Sequence, residues 1–117
     1  MTETSSDRAS AKAIDESLIE EIVRRILRIT SPDRIIMFGS AVTGEMTKDS
    51  DIDLLVLESS PGDIRKKIVR LGDVLRGLGF PMDVIVMSVD RFEESKEVIG
   101  GIANPAHKQG KVIYEAA

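Results

Sequence analysis

Gly39-Ser40-Ala41-Val42-Thr43-Gly44-Glu45-Met46-Thr47-Lys48-Asp49-Ser50-Asp51-Ile52-Asp53 joins two apolar runs, Arg34-Ile35-Ile36-Met37-Phe38 before it and, starting within its last three residues, Asp51-Ile52-Asp53-Leu54-Leu55-Val56-Leu57. Short runs rich in Ile, Leu and Val and bounded by turn residues predict strands, so the loop is held at both ends by a sheet. Side chains alternate faces along a strand, which sends Asp51 and Asp53 to one side and Ile52 to the other. Two neighbouring carboxylates repel unless a cation neutralises them. With neither histidine nor cysteine nearby, the donor set suits a hard ion, magnesium before zinc. Gly39 lets backbone approach a phosphate closely, and Ser40 adds a hydroxyl.

An Asp-x-Asp alone is commonplace at turns. Here it follows Gly39-Ser40 after an interval of ten residues. In Gly39, Ser40, Gly44, Ser50, Asp51, Asp53 and Leu54 the chain resembles the nucleotidyltransferase superfamily that includes DNA polymerase beta, and in particular its minimal single-domain members. The resemblance extends over most of the chain, but only this central motif is specific. It implies an α/β (α+β) nucleotidyltransferase fold, a small mixed sheet with helices packed on it.

The same resemblance implies a third acid on a later strand, and Asp83 in Phe80-Pro81-Met82-Asp83-Val84-Ile85-Val86-Met87 is the candidate. A charge beside three β-branched residues would be costly if buried alone, and a shared metal ion would offset that cost. By resemblance, Asp51 and Asp53 hold two Mg2+ ions. Asp83 helps hold the catalytic one and favours deprotonation of the attacking hydroxyl. Gly39, Ser40 and Ser50 bind the nucleotide, expected to be ATP, and a nucleotidyl group moves with release of pyrophosphate. Many minimal members carry arginine where this chain has Thr43, so one phosphate contact is absent from that position. Lys48 can reach the same region, although a lysine between polar loop residues reads first as solvated surface.

The chain has 117 residues, no cysteine and a net charge of -4. That length suits one domain with its own core: residues 1–10 are expected to be a flexible tail and residues 11–117 a single minimal nucleotidyltransferase domain. Without cysteine there is no disulfide or thiol chemistry. No signal peptide or membrane-length apolar run is present, so the cytoplasm is the expected compartment. With no tryptophan, three phenylalanines and one tyrosine, and no basic stripe, a nucleic-acid substrate is not favoured. Arg24-Arg25 and Arg65-Lys66-Lys67 read as solvated faces of amphipathic helices.

Ile14, Leu18, Ile22, Val23 and Ile26 predict a first helix that Ser31-Pro32-Asp33 stops. Ile64, Ile68, Leu71, Leu75 and Leu78 predict a second, closed by Gly77 and Gly79. Residues 88–99 read as helical with Ser88 or Asp90 as cap, residues 104–109 as a short segment, and residues 112–114 as a last strand. Met37, Met82, Met87 and Tyr114 are read as core, Met46 as a loop residue, and His107 as surface.

A domain this small has no room for an acceptor-binding module. By resemblance, the expected acceptor is a separate helical protein, a HEPN-type ribonuclease toxin that the transferase silences as an antitoxin by attaching AMP. Two alternatives stand beside it: transfer to a small molecule, and a non-catalytic antitoxin of the same fold that neutralises by binding. The amphipathic helices also leave a face for a second copy of the chain.

Overall fold

The computed structural model describes residues 14–44 and 50–117. Met46, Lys48 and the expected N-terminal tail lie outside the described residues. Helix α1 (Glu16–Ile29) starts on Asp15, whose Oδ1 accepts the Leu18 N–H at 2.9 Å. Strand β1 (Arg34–Phe38) leads into a single helical turn, α2 (Ser40–Thr43), and the chain resumes as β2 (Ile52–Glu58). Helix α3 (Ile64–Val74), capped by Asp63, crosses back to β3 (Met82–Ser88). Helices α4 (Val89–Ser95) and α5 (Ala103–Gln109) precede the final strand β4 (Lys111–Glu115).

The strand order is β3-β2-β1-β4. β1 pairs antiparallel with β2 and with β4, while β2 and β3 run parallel. A parallel pair needs a long crossover, and α3 supplies it. The sheet separates two cores, as expected when helices cover both faces. On one face Ile35, Met37, Leu54, Val56, Val84 and Val86 pack against α1 and α3. On the other, Ile36, Phe38, Leu55 and Leu57 meet Phe92, Ala103 and Ala106 of α4 and α5. Central strand β2 is buried from Leu54 to Glu58, which is why it reads as a continuous apolar run without alternation. Met37 is buried, Met82, Met87 and Tyr114 pack against the cores, and His107 is exposed. Among the described residues, no helix is long and apolar enough to cross a membrane.

One residue of each cationic cluster departs from the solvated reading, while Arg24, Arg65 and Lys66 are exposed as expected. Arg25 is half-buried, and its guanidinium donates to the carbonyls of Val74 at 3.0 Å and Arg76 at 3.1 Å, while its Nε meets Glu21 at 2.6 Å. It satisfies carbonyls that the end of α3 leaves without helical partners. Lys67 is likewise inside: its Nζ donates to Glu58 and to the Pro61 carbonyl at 2.7 Å. Glu58 is only 5 % exposed and also accepts the Thr30 hydroxyl at 2.6 Å. These contacts fasten α3 to β2 and α1.

Removing one partner of such a pair strands the other charge. Lys67→Met is expected to cost about 2–3 kcal/mol in urea unfolding, and adding Glu58→Leu to recover most of it. A double variant as unstable as the single one would show that the pair itself stabilises α3.

Candidate active site

β2 and β3 are in register with Asp53 opposite Asp83, and Phe38 of β1 opposite Asp53. Directly opposed residues on neighbouring strands share a face. Asp53 and Asp83 therefore stand side by side on the α4/α5 face, the face of Leu55, Ile85 and Met87. Asp51 lies just before the first residue of β2, two positions from Asp53, and is exposed. Asp53 is half-buried and Asp83 exposed. The burial cost expected at Asp83 thus falls on Asp53 instead. Desolvation first, then the charges of Asp83 and Asp51, push the Asp53 carboxyl above its ordinary value.

The turn after β1 is built around this carboxylate. Gly39 has φ +77°, a region that side chains other than glycine rarely adopt. Its carbonyl accepts the N–H groups of Val42 at 3.0 Å and Thr43 at 3.2 Å, folding Ser40–Thr43 into the single turn of α2. Gly44, at φ +85°, ends that turn in the left-handed region. A Cβ on Gly39 would overlap the Oδ2 of Asp53 and sit 3.3 Å from its Cγ. Glycine there is thus a steric requirement of the Asp53 rotamer, a role separate from phosphate approach. The sequence expectation of a loop from Gly39 onward is corrected at its start, where a helical turn carries Ser40 and Thr43. Ser40 and Ser50 are half-buried and each already engages a neighbour.

The donor set favours a hard divalent cation: three carboxylates, no sulfur or imidazole among them, and no ion pair to any of the three among the described residues. Among the described residues, no three His, Cys, Asp or Glu side chains are already grouped as a metal cage. The fit rests on charge and register: like charges held together raise the cost of ionising Asp53, and a cation removes that cost.

A family model, nucleotidyltransferase domain, matches residues 17–108. The chain belongs to the nucleotidyltransferase domain family. No curated protein matches it significantly. Among solved structures this nucleotidyltransferase is similar to a toxin–antitoxin complex with AMP-PNP, at 21 % identity and TM-score 0.66, covering 84 % of this chain and 73 % of that one. It is similar to a candidate nucleotidyltransferase from Sulfolobus solfataricus, at 19 % identity and TM-score 0.58, covering 85 % and 78 %. A mutant of the toxin–antitoxin MntA-HpeT gives 18 % identity and TM-score 0.62, covering 84 % and 73 %. At these identities the likeness is one of fold.

Proposed function

We propose that this nucleotidyltransferase transfers AMP from ATP, with Mg2+, to a hydroxyl of a protein partner, and that it does so as the antitoxin of a HEPN-type ribonuclease toxin. The observation that carries the catalytic part is the register of Asp53 against Asp83 beside the Gly39 turn. The partner is suggested by the two toxin–antitoxin structures of like fold, one of them with AMP-PNP, an ATP analogue. The other is mutated at two aspartates two positions apart, the spacing of Asp51 and Asp53.

Asp51, Asp53 and Asp83 would hold the divalent ions. When bound, these supply positive charge to the phosphates and to the attacking and leaving oxygens. The partner's hydroxyl oxygen forms a bond to the α-phosphorus as the bond to the pyrophosphate oxygen breaks, and pyrophosphate departs. Asp83, exposed at the head of β3, favours loss of the hydroxyl proton. Ser40 and Ser50 flank the triphosphate, Ser40 on the turn that Gly39 fixes and Ser50 just ahead of β2. The chain's own contribution is position and charge.

The test is intact-mass spectrometry of a co-purified or genomically neighbouring helical protein after incubation with this chain, Mg2+ and each nucleoside triphosphate. A gain of one or more AMP units that Asp51→Ala with Asp53→Ala abolishes is the expected result. Binding without mass gain under every nucleotide would instead rule out transfer to this partner and favour a non-catalytic antitoxin or a different acceptor.

A further inference from the structure

β3 is an outer strand of the sheet, and among the described residues no strand pairs with its outer edge from Met82 to Ser88. Proteins usually shield such edges with charge, bulges or cover. This one is flanked by a hollow of about 530 Å³ lined from both sides of the sheet. Ile64 and Val86 belong to the α1/α3 side, Ile85 and Met87 to the α4/α5 side, and Ile102 is the residue just before α5. A hollow that straddles a strand edge suits a further strand, whose side chains alternate between the same two faces. Ile85 lies one face-repeat beyond Asp83, so the hollow starts about 7 Å along the strand from the third acid and runs toward the end of β3.

Arg91 stands at that far end, exposed, and no ion pair among the described residues engages it. Other exposed cations such as Arg65, Lys66 and Arg70 are likewise without an ion pair among the described residues, but of these only Arg91 lines the hollow and can meet what enters it. From Asp83 to Ser88 an extended strand covers about 17 Å. A second copy fits less well. Antiparallel β3–β3 pairing about Ile85 lays each Asp83 against the other chain's Met87, taking a carboxylate out of water beside apolar surface.

We propose that an extended segment of the protein acceptor adds to the β3 edge, its alternate apolar side chains filling this hollow and a carboxylate meeting Arg91, so that a hydroxyl about six residues away, on the same face, reaches Asp83. The inference rests on the transfer reading above and supplies its acceptor surface.

The probe is a fluorescein-labelled peptide of about nine residues, alternating valine and threonine, with one tyrosine and one glutamate about six positions apart so that both point to the same face. Anisotropy reads binding to the full chain with Mg2+ and AMP-PNP, and mass spectrometry with ATP reads transfer to the tyrosine. Arg91→Glu is expected to weaken binding at least about tenfold and to raise the peptide KM without changing the KM for ATP. Replacing the peptide glutamate by lysine restores binding to that variant. N-methylation of one alternate set of peptide amides abolishes binding, and of the other set does not, because only one set faces the edge.

Binding indifferent to Arg91→Glu and to both methylation sets overturns the proposal. So does the absence of peptide binding together with a dimer in sedimentation that Ile102→Asp disrupts, which assigns the edge to a second copy. Binding with the expected pattern but no transfer to peptide or partner leaves the docking edge standing and removes the catalytic reading.

Discussion

Under the proposed function, Asp53→Asn is expected to lower nucleotidyl transfer by about 10³-fold or more, since several kcal/mol of charge stabilisation disappear with one carboxylate proposed to hold metal. The same change is expected to make the metal-free protein more stable at neutral pH. The sign follows from the raised pKa of Asp53. A carboxyl whose pKa is higher in the folded than in the unfolded chain favours folding while protonated, and that contribution is lost as pH rises from the unfolded value through the folded one. Above this window the wild-type chain keeps a penalty that asparagine does not carry. Thermal unfolding in EDTA across pH 3 to 8 checks it: the wild-type Tm falls relative to Asp53→Asn through the window and the gap then stays constant. Saturating Mg2+ should raise the wild-type Tm more than the variant's. A variant less stable than wild type at pH 7 in EDTA would refute the repulsion that motivates the metal reading.

Gly39→Ala carries the second large effect. The positive-φ, extended backbone of Gly39 alone costs about 1–3 kcal/mol for a residue with a Cβ. The added methyl also overlaps the Asp53 carboxylate, so either that side chain or the turn must move. Displacement of a positioned group by about 1 Å lowers a rate by about 10²-fold, and transfer should fall at least that far. The two causes separate in a double-mutant cycle. Against an Asp53→Ala background the overlap is gone, and the stability cost of Gly39→Ala should shrink to the backbone part. Equal costs in both backgrounds would mean that Gly39 serves only the turn.

The strands of the site were legible because their apolar runs are short and sharply bounded. β1 coincides with Arg34–Phe38 as expected, and β2 begins at Ile52, one residue after the expected start at Asp51. Asp83 was legible as a candidate only through the resemblance, since nothing in local spacing reveals that β3 runs parallel to β2 in the register that opposes Asp53. The turn Ser40–Thr43 escaped because four residues are too few to show a helical period. The helix expected over 88–99 ends at Ser95: Val98-Ile99-Gly100-Gly101 combines two β-branched residues with two glycines, all weaker helix formers. Ser88 is its cap, its Oγ accepting the Arg91 N–H at 3.1 Å. Arg25 and Lys67 were misread as solvated because charge pattern along a helix carries no trace of the carbonyls and carboxylate that tertiary packing brings to them.

The parallel pairing of β2 with β3 also sets an order of events. Roughly thirty positions separate Asp53 from Asp83, and their meeting waits until α3 has docked across the sheet. The β1–β2 hairpin can position Gly39 and Asp53 earlier, as a nascent chain emerges, but such a chain holds only part of the site. Competence therefore arrives late in synthesis, with the crossover, and a partial opening that releases α3 would silence the protein while its hairpin remains folded.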